Sequence, residues 1–471
     1  MKKTLRNILI MLLVLAVLGG GAAALLLLPQ DAGDDPSSSS SEPESSREAV
    51  LVTQVDAADL KSITVVNSQS TFTFVPQGND DYTIQGFEDS VVNNLTAANS
   101  VKALLSLQSV RELGAQSDLE SFGLAGEQAV EVEIVTAAGT QKLVLGNAAA
   151  ETAGNYVLSD GQVYICPNVP ENLYGSMFRY FNYSLYSIAT NVNEDNPNGY
   201  DILYHLNLSG SNFPEPVEIA YDPAFMGMYV VKSPILAESG TTALQEIRDA
   251  LLAPTASEVA GAKLTPQQLE EFGLAEPVAV AEFDLNNVQH TLKVSKAHNG
   301  YRYLMMDDRD VVYRISDDQV APWADVKLNQ LRMSYIWLAN IMEVEQLTVT
   351  QGDEVTEFHV TRTLNEEKST EDSPTYDLAV QDAAGKPVDY TAYRDFFSEL
   401  LSIAVLNVEK PEITGDPAYT VEYRFFEDDP QTVAFYPVGN DRYAALLNWA
   451  FSGQVRKSET DAAFAKLEAT H

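Results

Sequence analysis

Residues 119–125 read LESFGLA and residues 269–275 read LEEFGLA. The second copy sits in TPQQLEEFGLA (265–275), where Thr265 suits a helix N-cap, Pro266 the first helical position, and Gln268 completes a capping box. Gly273 falls where a left-handed residue ends a helix, with Leu269 and Leu274 as the apolar partners of such a stop. In the first copy Asp118 is the cap, Gly123 the terminator, and Leu119 with Leu124 the apolar pair. Phe122 and Phe272 are expected to bury against a sheet. Every position has a structural task, so the pattern predicts two short capped helices rather than a catalytic site.

The two copies anchor a longer repeat. Downstream, QKLVLGN (141–147) aligns with HTLKVSK (290–296), and NYVLSDGQVYI (155–165) with YRYLMMDDRDVVYRI (301–315). Both read as hairpins, with alternating apolar residues, a polar tip and a VY return strand. Upstream lie amphipathic helices at 99–113 and 241–252, each preceded by three strand signals. A third copy has its strands from EQLTVTQ onward, a helix at 393–406 and closing strands after residue 419, but EITGDPAY (412–419) replaces the motif. The expected fold is α+β: three repeated modules, each an antiparallel β-sheet with one packed amphipathic helix, after an N-terminal transmembrane helix. The predicted boundaries are 55–170, 195–320 and 343–471 for the modules, with an aromatic-rich connector at 171–194 and a second connector at 321–342.

Ahead of the modules, Lys2, Lys3 and Arg6 precede an uncharged run from Ile8 to Leu28. Those 21 residues span about 31 Å as a helix, matching a bilayer core of roughly 30 Å. Ala22–Ala24 could serve as a signal-peptidase site, but four leucines follow, so residues 1–30 read as a cytoplasmic tip and uncleaved signal anchor. The preceding bases place the N-terminus in the cytoplasm and the bulk of the chain outside. Residues 31–54 begin with a Ser/Asp/Glu-rich stretch too poor in apolar side chains to fold, a flexible tether.

The whole chain carries a formal charge of −38, which repels phosphate backbones and makes nucleic acid an improbable partner. Cys166 is the single cysteine, so the exported cores must be held by packing without an internal disulfide. It follows VYI and reads as a buried strand end. The histidines (His205, His290, His298, His359 and His471) show no metal-ligand spacing, His290 and His298 being expected to flank a strand. No nucleophile elbow, phosphate loop or C-x-x-C occurs, so no catalytic, cofactor-binding or metal residue is expected. DDRD (307–310) and NEDNPNG (193–199) read as acidic turns. Tyr174, Phe178 and Phe181 share a stripe if the first connector is helical; they are expected to pack between modules or to bind a partner.

An N-terminal anchor, FGL after a helix, a short LxxG strand and a Y…VYxI hairpin together resemble the domain of unknown function 4340 family. The residues are Phe122-Gly123-Leu124, LVLG (143–146), Tyr156 and Val163-Tyr164-Ile165. They recur as Phe272-Gly273-Leu274, LKVS (292–295), Tyr301 or Tyr303, and Val312-Tyr313. The resemblance implies a bacterial, membrane-anchored, extracytoplasmic protein, associated with an ATP-binding-cassette transporter permease or an envelope protein. The family has no established catalytic residues, so none carry over. The expected role is therefore a non-enzymatic accessory or scaffold protein. A substrate-binding module with a cleft between modules is the alternative, and a cell-envelope hydrolase the third.

Overall fold

A computed structural model describes residues 50–470, apart from 88–90, 151, 191, 193–195, 308, 368 and 371–374. The expected anchor and nearly all of the tether lie outside the described residues. Among the described residues no helix is long and apolar enough to cross a membrane.

The described chain is mostly antiparallel sheet with few helices, and three large sheets share one strand order. In the first, Leu60–Val66, Thr71–Gly78 and Asp81–Ile84 form a meander running to one edge. The chain then enters helix α1 (Asn94–Leu105), which carries it over the sheet to the opposite edge, where Arg111–Gly114 pairs. It returns at Val130–Thr136 beside Leu60–Val66, and Thr140–Ala148, Asn155–Ser159 and Gln162–Cys166 fill the space out to Arg111–Gly114. The second sheet repeats this path around α2 (Thr242–Leu252), and the third around α3 (Tyr390–Leu401).

Each helix begins on a side-chain cap. Asn93 accepts from the Thr96 N–H at 3.0 Å, Thr241 from Leu244 at 3.2 Å, and Asp389 from Ala392 at 2.9 Å. These bonds satisfy N–H groups that have no partner within a helix. The strands alternate as half-buried strands should: Ile63 and Val65 are buried, whereas Thr64 is half-buried and Val66 exposed.

Two helix expectations overran. Helix α1 stops at Leu105 rather than 113, because Thr53 closes its end: Thr53 Oγ1 donates to the Leu104 carbonyl at 2.7 Å and accepts from the Leu107 N–H at 2.7 Å. Arg111–Gly114 is then an edge strand. Likewise α3 ends at Leu401 and Val405–Asn407 is an edge strand, so the predicted helix 393–406 was helix plus strand. The third sheet also carries a second helix, Lys457–Ala465, packed against α3. Its Phe464 stacks on Tyr419 at 3.9 Å, and Asp461 accepts from the hydroxyls of Tyr419 and Tyr443.

Both FGLA segments close the same stop. Leu124 N–H donates to the Leu119 carbonyl and Gly123 N–H to that of Glu120; Leu274 and Gly273 do likewise to Leu269 and Glu270. This paired pattern is the Schellman motif, with both glycines left-handed at φ +69° and +70°. Only the second copy has a helix before the stop, Pro266–Glu271, with its reciprocal Thr265–Gln268 box. The first has Asp118 accepting from Ser121 but no proline or glutamine, and forms a turn alone. Leu124 and Leu274 are buried, whereas Phe122 and Phe272 are half-buried rather than sunk in the core. Each phenylalanine packs edge-on against a tyrosine, Tyr156 at 4.8 Å and Tyr303 at 4.6 Å.

The copies differ beneath the turn. A Cβ on Gly146 would lie 2.4 Å from the Phe122 carbonyl oxygen, so the first turn rests directly on that glycine. Ser295 occupies the matching place in the second copy and holds that turn farther off. Accordingly a Cβ at Gly123 meets the Asn147 side chain at 2.5 Å, and one at Gly273 meets only Ser295 Cβ at 3.4 Å. Gly273→Ala is expected to cost about 1 kcal/mol through its positive φ alone, and Gly123→Ala more, because Asn147 must also move. Urea unfolding of the two variants checks the order; equal losses would contradict it.

Candidate functional site

The connectors decide how the modules meet. The first is two short 3-10 turns, Glu171–Tyr174 and Met177–Tyr180, followed by extended chain. Gly175 is extended between them and Ser176 caps the second, so no continuous helix forms and the predicted aromatic stripe does not exist. Its rings are used within the chain. Tyr174 donates to the Gly146 carbonyl at 2.8 Å, Phe178 packs on Phe181, and Phe181 is 2% exposed against Phe87. Tyr180 is fully buried under α1, edge-on to Phe74 at 5.0 Å, with its hydroxyl on Ser100.

Beyond them, the connector joins the residues just before α1 to those just after α2. Asn182 N–H donates to the Val91 carbonyl, and Leu185 N–H to that of Pro254. The second connector does the same one module later. Met333 N–H donates to the Glu238 carbonyl ahead of α2, and Val405 N–H, after α3, donates to that of Ser334. In that joint the Glu238 side chain is fully buried, accepting from the N–H groups of Gly227 at 2.6 Å and Leu338 at 2.8 Å. Burial raises its pKa above the usual carboxylate range, and the two N–H bonds oppose the rise. Arg332, the residue before Met333, is buried as well, and burial brings its guanidinium down to about 10.

Where the second and third modules meet, a cleft opens. The loop Pro234–Ile235–Leu236 leaves the strand Tyr229–Ser233 through a cis Ser233–Pro234 bond, and Leu236 N–H donates to the Phe451 carbonyl at 2.9 Å. Above this floor lies a cavity of about 480 Å³ lined by Lys232, Lys410, Thr414, Tyr436 and Trp449. A second cavity of about 410 Å³ continues it past Lys327, Phe213, Glu215 and Glu409, sharing Pro234, Ile235, Lys410 and Phe451. The lining of the first cavity includes Lys232 and Lys410 and no acidic residue, whereas the second holds Glu409, the chain neighbour of Lys410. Among the described residues, none of Lys232, Lys327 and Lys410 has a carboxylate within ion-pair distance; the paired lysines are Lys102, Lys142, Lys457 and Lys466.

Trp449 is the unusual member. It forms a two-residue hairpin turn with Asn448 between Arg442–Leu447 and Ala450–Arg456, at φ +66° and +47°. That turn type suits Asn-Gly, and a bulky residue there costs on the order of 1–3 kcal/mol. Asn448 holds the turn by exchanging bonds with the Thr432 backbone at 2.8 and 2.9 Å. Trp449 is thereby kept 60% exposed at the cleft mouth, whereas Trp323 and Trp337 are buried.

Elsewhere the chemistry-bearing residues are committed. Cys166 ends its strand fully buried, and burial pushes its thiol up to about 12. His290 lies inside the strand Val288–Val294 rather than beside it, 3.0 Å from Asp307 and stacked under Tyr186. His205 pairs across strands with Asp284, His298 and His359 are apart from them, and His471 lies outside the described residues. Among the described residues no group of three His, Cys, Asp or Glu side chains could hold a metal ion. Asp307 and Asp310 sit in the 307–310 turn, and Asp310 accepts from the Leu264 N–H. Residues 193–195 of the other acidic turn lie outside the described residues.

The family model described as Domain of unknown function (DUF4340) matches residues 231–423. That stretch belongs to the family. It runs from the second sheet into the third, and includes Phe272-Gly273-Leu274 and, of the cleft, Lys232, Lys327 and Lys410. Within it the tyrosine that meets the FGL phenylalanine is Tyr303, not Tyr301. Tyr436 and Trp449 fall beyond the match, as does the first copy of the motif. The family's description names no activity, ligand or partner. No curated protein and no solved structure matches the chain.

The sequence reading passed over Trp449, although an Asn-Trp pair between alternating strands was a visible oddity. The three cleft lysines carried no signal, being up to 178 positions apart. Glu238 yields a pH test. Its folded pKa exceeds its unfolded one, so its contribution to stability is greatest below the unfolded pKa and falls as pH rises toward the folded value. The stability advantage of wild type over Glu238→Gln should therefore shrink in urea titrations as pH rises above the ordinary carboxylate range. A difference that stays flat would contradict the assignment.

Proposed function

We propose that this chain is a non-enzymatic, membrane-anchored, extracytoplasmic binding protein whose working surface is the cleft between its second and third modules. The observation that carries this reading is Trp449, exposed in a strained turn and lining the first of two contiguous cavities. Packing does not explain a large ring held in solvent at a conformational cost, whereas contact with a ligand does. Of the roles weighed from sequence, the binding module with an intermodule cleft is thus better supported than the bare scaffold. The anchor at Ile8–Leu28 and the acidic tether would hold that cleft away from the lipid headgroups. Association with a transporter permease, which the family resemblance suggests, fits a binding protein that delivers or presents its ligand at the membrane. A hydrolase acting through Glu215 and Glu409, which line the second cavity, is the weaker alternative, because Trp449 lines the first cavity and not the second.

Photo-crosslinking tests the assignment of the surface. A photoreactive residue is placed at position 449, or at Val355, which is 59% exposed on the third module. In the full chain in native membranes, adducts from position 449 should clearly outnumber those from 355. Equal yields would remove the cleft as the working surface.

A further inference from the structure

Granting the cleft reading, we infer that the Lys232–Lys410–Trp449 cavity is a subsite for an acidic sugar unit of a sparsely charged glycan. The argument begins with charge. The chain is −38 overall, yet the lining of this cavity includes Lys232 and Lys410 and no acidic residue, and among the described residues neither lysine has an ion-pair partner; Glu409, next to Lys410 in sequence, lines the second cavity. Two free ammonium groups there meet an anion, and lysine donates to carboxylate or phosphate as a point charge.

The rest of the lining narrows the anion to a sugar. Trp449 offers an exposed flat apolar face, and Tyr436, Leu446, Phe451 and the hydroxyl-bearing Thr414 line the same cavity. A pyranose has the same division: axial C–H groups form an apolar face and hydroxyls ring its edge. The cavity continues into a second of similar volume, so a chain of two or more units could lie along it. That second cavity adds Lys327 but also Glu215 and Glu409, which suits a neutral neighbouring sugar rather than another anion.

Two other occupants fit less well. A densely charged polymer would be repelled by the −38 surface, as a nucleic acid would. An extended acidic peptide commonly joins a free strand edge, but the strands that line this cavity, Tyr229–Ser233, Gln431–Gly439, Arg442–Leu447 and Ala450–Arg456, are each paired on both sides within their sheets.

The test uses the full chain in detergent micelles and four probes. They are an aldobiouronic acid (one carboxylate on two sugars), a disaccharide monophosphate, neutral cellobiose, and a glutamate-containing tripeptide. Trp449 is the exposed tryptophan, so its fluorescence reports on the subsite, while buried Trp323 and Trp337 report whether variants remain folded. One or both acidic sugars should bind saturably and shield the exposed fluorescence from acrylamide, and the tighter of the two identifies the anion as carboxylate or phosphate. Cellobiose and the tripeptide should bind at least about tenfold more weakly. Lys232→Ala and Lys410→Ala should each weaken the acidic sugar by about tenfold with the buried emission unchanged, and calorimetry should show a similar loss for Trp449→Ala. Equal binding of cellobiose or of the peptide would overturn the inference, as would no binding of either acidic sugar. If neither acidic sugar binds while position 449 still crosslinks preferentially in membranes, the sugar assignment fails and the cleft reading stands; loss of both results removes both.

Discussion

A sheet wider than its helix is the constraint on which this structure rests. Helix α1 has 12 residues and is about 18 Å long, whereas eight strands spaced by about 4.8 Å span some 34 Å. One helix cannot cover one apolar face. The uncovered part must be buried by something else, and in each module a different element does it.

In the first module the connector supplies the cover. Tyr180 and Phe181 fill the space beside α1, and the buried residues of the first and second sheets merge into one core through Leu185 and Ile188. The second sheet is covered on both sides around Tyr229–Ser233, whose Val230 contributes to the core of the third module while Val231 belongs to its own. In the third module the helix Lys457–Ala465 lies beside α3 and closes the face. The cleft is a by-product of this arrangement. The loop 234–236 touches the third sheet through Phe451, while the turn at Trp449 and the segment at Lys410 stand away from it, leaving a lined gap.

Much of the fold was legible because periodicity and turn chemistry are local. Alternation marked the strands, and the cap at Thr265 and the glycines at 123 and 273 marked helix and turn ends that the structure places there. The edge strands Arg111–Gly114 and Val405–Asn407 were not legible. Their apolar residues continue the helical pattern before them, and what makes them strands is a distant edge needing a partner. The aromatic connector misled for a related reason. The helical spacing of its rings was assumed, and Gly175 with Ser176 broke it; Tyr174 and Phe181 meet Gly146 and Phe87 of the first module instead.

By itself the sequence determined the class of fold and its threefold pattern, since these follow from burial periods and turn residues read over a few positions. It also determined the acidic surface and the family resemblance. Only the tertiary structure decided which residues share a site. Lys232, Lys410 and Trp449 come together because the second sheet hydrogen-bonds to the third at Leu236 and Phe451, and no local pattern encodes a contact between chain segments that far apart.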